Sequence, residues 1–165
     1  IHTYTEELSE AFAPMSVTIQ LEDEIDISRG DMIVRDNNRP HVGQDIDIMI
    51  CWMNEKPLVP NGKYAIQHTT FDARCLGKNI HYKVDINTLH RMEDDKSIKM
   101  NDIARVTLRT TKPLFYDRYS RNRVSGSVIL IDEGTNETVA AGMIILFRDA
   151  RKSCCHTSRN KTKLR

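Results

Sequence analysis

LEDEIDISRGDMIV, residues 21–34, joins an alternating apolar and acidic segment to an Arg-Gly turn and a short β-like run. A period of two marks extended chain, and Ser28-Arg29-Gly30-Asp31 has the chemistry of a turn. Just upstream, Met15, Val17, Ile19 and Leu21 alternate with Ser16, Thr18 and Gln20, which predicts a strand over 15–21. A second short strand is predicted at 32–34. Residues 1–13 read as an entry segment. Residues 35–41, RDNNRPH, are polar, contain Pro40 and mark a candidate domain boundary.

The same period runs through the rest of the chain. Ile46, Ile48, Ile50 and Trp52 alternate with Asp45, Asp47, Met49 and Cys51. Pro57, Pro60, Asn61 and Gly62 then supply a turn-rich loop. Residues 64–70 and 71–76 read as strands. So does 80–86, where Ile80, Tyr82, Val84 and Ile86 face one way and His81, Lys83 and Asp85 the other. Residues 87–99 read as a polar loop, and 103–108, 114–116, 124–131 and 138–147 complete the set. Eight to ten short strands without an amphipathic helix predict an all-β fold, a barrel with Greek-key-type connections. Its core is expected around Trp52, the only tryptophan, with Ile46, Ile48, Ile50, Ile129, Ile131 and Val139.

The length of 165 residues suits one domain plus part of another. The first residue is Ile1 rather than Met, which reads as a fragment or a processed product. No apolar run approaches the roughly 20 residues of a membrane span, and no signal segment opens the chain. Cys51, Cys75, Cys154 and Cys155 are few and irregularly spaced, as in a reducing, cytoplasmic protein. The net charge of +1 is uneven: residues 148–165 carry +6, which leaves −5 for the remainder. That balance argues against a dedicated nucleic-acid binder.

Residues 21–34, together with YKVDINTLHR (82–91) and PLFYDRYSRNRVSGSVILIDEGTNETVAAGMI (113–144), resemble the large, GTP-hydrolysing subunit of bacterial sulfate adenylyltransferase, a relative of elongation factor Tu. The likeness runs from about residue 7 to residue 145. The closing TVAAGMI has Ala140 where the Tu pattern has Gly. The resemblance implies three parts: the tail of a second barrel domain over 1–35, a third barrel domain resembling that of elongation factor Tu over 42–147, and a basic, disordered tail over 148–165. It also implies a part in making adenylyl sulfate and pyrophosphate from ATP and sulfate during sulfate assimilation. In that family GTP hydrolysis on the large subunit drives the step and a small catalytic subunit performs it. GTP and Mg would sit on a GTPase domain preceding this segment. The partners implied are that domain and the small subunit, with no membrane and no nucleic acid. The alternative is a free-standing translation-factor-like module that binds RNA or a protein.

The residues themselves supply no catalytic or cofactor constellation. A P-loop needs G-x-x-x-x-G-K-[ST]. Gly62-Lys63 and Gly77-Lys78 are followed by Tyr64 and Asn79, lack the earlier glycine, and read as turn glycines. The segment alone is therefore expected to be inactive. Cys154-Cys155-His156 has ligand chemistry but poor spacing for zinc, so no metal site is expected. His41, His68, His81 and His90 have no spacing that joins them to a nucleophile. Glu22 to Asp26 reads as a solvent-facing strand end. Arg118, Tyr119, Arg121 and Arg123 form the one cluster with a candidate role. Three guanidiniums around an aromatic suit a phosphate, an acidic partner face or RNA. The plainer reading is a solvated loop whose arginines pair with Asp117 and Asp132.

Overall fold

The computed structural model describes residues Ile1–Phe147. The basic tail and Cys154-Cys155-His156 lie outside the described residues. The chain divides into two compact units, Ile1–Ser28 and a much larger one from Arg29 onward.

The larger unit carries seven antiparallel strands among the described residues: β1 (His41–Trp52), β2 (Lys63–His68), β3 (Phe71–Val84), β4 (Arg91–Met92), β5 (Ile103–Tyr116), β6 (Ser127–Ile131) and β7 (Thr138–Phe147). The sheet order is β2-β6-β7-β1-β5-β3-β4, and a further β2–β3 pairing joins the ends. Six strands thus close into an all-β barrel, with the two-residue β4 added outside the ring. The non-consecutive neighbours give it Greek-key character. Closure leaves few unpaired edges and turns one face of each strand inward.

The alternation in β1 decides that face. Ile46, Ile48, Ile50 and Trp52 are all buried, with Trp52 only 1% exposed. Opposite Trp52 in the neighbouring strand stands Ala140, itself fully buried. Val139 joins the core as expected. Ile129 and Ile131 do not: Val128 and Leu130 are the buried residues of β6. An unbroken apolar run carries no period, so its sequence cannot say which alternate residues point inward.

β3 is one strand of 14 residues where two were expected. Register shifts at Gly77/Asn79 and Ile80/Tyr82 bend it through both stretches. Gly77 therefore sits in a bulged strand rather than in a turn. Gly62 is in a turn, its N–H donating to Val59 O at 2.9 Å. Between β4 and β5, Lys83 holds the loop down. Its buried ammonium lies 2.9 Å from Asp95 and 3.0 Å from Asp102 and donates to Ser97 O. Hydrogen bonds to Asp95 and Asp102 hold its pKa above the ordinary lysine value.

The strands expected over 15–21 and 32–34 are not formed. Ile1–Ser28 contains only the isolated bridges His2↔Glu7 and His2↔Thr18, and Met15, Ile19, Ile27, Ile33 and Val34 are exposed. Alternation becomes a strand only when a neighbour accepts its backbone bonds and covers its apolar face. The Arg-Gly turn has a clear structural role instead. Gly30 has φ +104°, a conformation that favours glycine, and a Cβ there would fall 2.4 Å from the Phe71 ring. Arg29 donates to Thr70 O at 3.0 Å, so the turn seats on the β2–β3 hairpin.

Candidate interaction site

The β5–β6 connection, residues 117–126, carries Arg118, Tyr119, Arg121 and Arg123. Its backbone is fixed at both ends. Arg118 O accepts the N–H groups of Arg121 and Asn122 at 2.9 and 3.0 Å. Tyr119 N–H donates to Ile144 O, and Ile144 N–H donates to Gly126 O, both at 2.8 Å. These bonds stitch the loop to β7. Across its mouth, Asp117 N–H donates to Ser125 O at 3.1 Å, and Ser125 Oγ donates to the Asp117 carboxylate at 2.8 Å.

Buried His68, at the end of β2, reaches the same Ser125 carbonyl with Nε2 at 2.8 Å. A carbonyl accepts only, so Nε2 carries the hydrogen. Burial pushes the His68 pKa below the ordinary histidine value, although the bond to Ser125 and the charge of Asp117 act against it.

Gly126 lies directly under Tyr119. A Cβ there would meet Tyr119 Cα at 2.4 Å and its backbone N at 2.5 Å. Neither neighbour is a side chain that can rotate away. Gly126→Ala is expected to displace the loop and cost roughly 1–3 kcal/mol through overpacking. Urea unfolding, together with the amide shifts of residues 117–126, checks this. An unchanged midpoint and unchanged shifts would show that the loop is not seated as described.

The fixed backbone presents the arginines outward. Arg121 donates to Asn38 at 2.7 Å and lies 3.9 Å from Asp117, with its side chain more than half exposed. Arg118 and Arg123 are exposed. No side-chain partner of Arg123 is found among the described residues. Val124 is 74% exposed, and beside it lies an open groove of about 200 Å³ lined by Gln67, Thr69, Ser127 and Ile129. Asp132 does not join the arginines. It caps its own turn, accepting from Gly134 and Thr135 N–H.

A second polar cluster escaped the sequence reading. On the outward face of β1, β3 and β5, Asp47 is buried to 1% exposure. It accepts from Arg105 at 2.9 Å and from the Thr107 hydroxyl at 2.5 Å. The single Thr107 hydroxyl hydrogen is thereby used, so His81 Nε2, 2.7 Å from Thr107 Oγ1, must be the donor to it. Asp45 lies 3.5 Å from Lys78 and 3.3 Å from Arg109 on the same face. Alternation placed Asp45 and Asp47 opposite the core. Only the register Asp47↔Thr107 and Met49↔Arg105 brings their partners to them, and a single strand's sequence contains no register.

Comparisons with known proteins agree with this architecture. The family model for GTP-eEF1A C-terminal domain-like segments matches residues 45–145. The chain is similar to the bifunctional enzyme CysN/CysC of Mycobacterium tuberculosis, 44% identical over 156 residues, covering 94% of this chain and 25% of that protein. It is similar also to sulfate adenylyltransferase subunit 1 of Bacteroides thetaiotaomicron, 46% identical over 153 residues, covering 88% of this chain and 32% of that one. The chain thus spans about a quarter to a third of the length of these curated relatives. Among solved structures, Sup35 complexed with GDP superposes with a TM-score of 0.62 at 18% identity, over 69% of this chain and 28% of that one. This last likeness concerns the fold alone.

Proposed function

The chain belongs to the GTP-eEF1A C-terminal domain-like family, and we propose that it is the barrel portion of a sulfate adenylyltransferase large subunit, acting by docking rather than by chemistry. The observation that carries this reading is the 44–48% identity to CysN/CysC and sulfate adenylyltransferase subunit 1 over nearly the whole chain. In the whole protein, GTP and Mg bind on a GTPase domain. Hydrolysis there drives the formation of adenylyl sulfate and pyrophosphate on a small catalytic subunit in the cytoplasm. The barrel supplies a rigid body whose contact with the GTPase domain changes with nucleotide state.

The arginine loop is the docking element in this reading. Its backbone is fixed by bonds to β2 and β7, so little ordering cost falls on the moment of contact. Arg118, Arg121 and Arg123 meet carboxylates or phosphates, and Tyr119 holds the loop's base. Residues 1–35 are the end of the preceding barrel domain. Their exposed apolar residues, Met15, Ile19 and Ile33 among them, are covered there by strands lying outside this chain.

The test is a titration of the chain against the separately produced GTP-binding portion of the same protein, with GTP or GDP bound. Changing Arg118, Arg121 and Arg123 together to Ala is expected to weaken binding at least tenfold while leaving the unfolding midpoint unchanged. Equal affinity for the triple variant would remove the loop from the interface. Tight RNA binding with a steep salt slope would favour the translation-factor-like alternative.

A further inference from the structure

The barrel wall has a gap, and the gap is shaped for an extended peptide. β3 pairs with β2 over residues 71–76 and with β4 only at Lys83 and Val84. Between these points, residues 78–82 have β5 on one side and no strand on the other among the described residues. A cavity of about 150 Å³ opens along this free edge. Its apolar lining includes Leu58, Ile80 and Val106, which are buried, and Val59 and Pro60, which are exposed; Lys78 and Lys96 stand at it, both exposed.

The walls of this slot are fixed without an occupant. Asn61 N–H donates to Gly77 O at 3.1 Å, Gly77 N–H to Gly62 O at 3.2 Å, and Leu58 N–H to Ile98 O at 2.9 Å. On the far side Lys83 anchors Asp95. Asp95 is therefore committed to another ammonium, and Lys96 has no partner among the described residues. Among the described residues Lys78 pairs with Asp45 at 3.5 Å, a carboxylate it shares with Arg109.

Size decides what fits. Pockets for nucleotides or other drug-sized ligands run to roughly 300–1,000 Å³, so this one is too small for them. It has room for one branched aliphatic side chain. An unpaired strand edge beside a side-chain pocket is the geometry of β-strand addition, in which the main chain supplies affinity and the pocket supplies specificity.

We propose that the slot between β2 and β4, along residues 78–82 of β3, binds an extended acidic segment of a protein partner. One aliphatic side chain of that segment fills the cavity over Leu58, Ile80 and Val106. Its flanking carboxylates pair with Lys78 and Lys96. This surface is independent of the arginine loop and of the role proposed for it.

A fluorescently labelled peptide EDTVTDE, one aliphatic residue between acidic flanks and a sequence that does not occur in this chain, is the probe. Saturable binding is expected, weakening at least tenfold for Lys96→Glu alone and further for Lys78→Glu/Lys96→Glu. Lys96→Glu touches no described partner, which keeps the test clear of folding effects. Arg121→Glu/Arg123→Glu should bind as the parent does, and amide shifts on titration should fall on residues 78–82. Absence of saturation overturns the proposal. So does binding that survives both lysine reversals, because the peptide would then be held elsewhere on the chain.

Discussion

Trp52→Ala should lower the stability of the barrel by about 3–5 kcal/mol, the usual cost of truncating a fully buried aromatic. That is a large part of the roughly 5–15 kcal/mol a domain possesses. Trp52 is joined to its surroundings in three ways. Its indole meets the Tyr64 ring edge-on, with centroids 5.7 Å apart. Its Nε1–H donates to Lys56 O at 2.8 Å, drawing in the loop after β1. Its backbone N–H donates to Asp102 O at 3.0 Å and its carbonyl accepts from Asn101 N–H at 2.7 Å, fixing the start of β5. Alanine preserves only the last pair. Trp52→Phe separates the parts: it keeps much of the packing but leaves the Lys56 carbonyl without its donor, a loss of about 0.5–1.5 kcal/mol beyond the volume change. Urea unfolding followed by circular dichroism measures both variants. A native-like midpoint for Trp52→Ala would contradict the placement of this residue at the centre of the core.

The prominence of Trp52 was legible because β1 alternates without interruption and one face is strongly apolar. The same rule failed for two opposite reasons. In β6 both faces are apolar, so Ile129 and Ile131 were as good a choice as Val128 and Leu130 until neighbouring strands fixed the twist and register. In residues 15–21 the alternation is clean, yet among the described residues only the isolated bridge His2↔Thr18 pairs with it. Period two is a property of one segment, and a strand is a property of two. The arginine loop shows the same division. Its charges could be read directly, but its rigidity depends on His68, Gly126 and Ile144, which are distant in sequence or chemically silent. Gly126 was one glycine among seven, and only the Tyr119 backbone above it gives it meaning. The slot beside β3 was further out of reach, because it is defined by where two other strands stop.

Arg105→Met should produce the other large effect, and its pH dependence identifies the cause. Asp47 is buried on the outward face of the barrel, and among the described residues Arg105 is its closest cationic partner, with His81 at 3.8 Å. Removing one member of a buried pair typically costs about 3–5 kcal/mol, because the remaining charge stays uncompensated. Here the lower end is expected, since a quarter of the Arg105 side chain reaches solvent and its pairing is partly screened. In the parent protein, burial is the largest influence on Asp47 and pushes its pKa up. The hydrogen bonds from Thr107 and Arg105 and the Arg105 charge together outweigh it, so the folded-state pKa lies below the ordinary value. A carboxylate with a depressed folded-state pKa stabilises the protein above its unfolded pKa of about 3.9. That contribution is lost as pH falls through the folded pKa. Without Arg105 the balance reverses. Burial is then opposed only by the Thr107 hydrogen bond and the His81 charge, and the Asp47 pKa is expected to rise above the unfolded value. The deficit of Arg105→Met should therefore be largest near pH 7 and shrink as pH falls toward 4, whereas the parent loses the Asp47 contribution only below that range, as pH falls through the depressed folded pKa. Unfolding in urea at pH 7 and at pH 4.5 distinguishes the cases. Asp47→Asn supplies the control, because a neutral amide removes the titration and should make the cost of Arg105→Met equal at both pH values. If the deficit of Arg105→Met is already equal at both values with Asp47 intact, Asp47 does not carry the buried charge, and the cluster on this face holds the strands by packing alone.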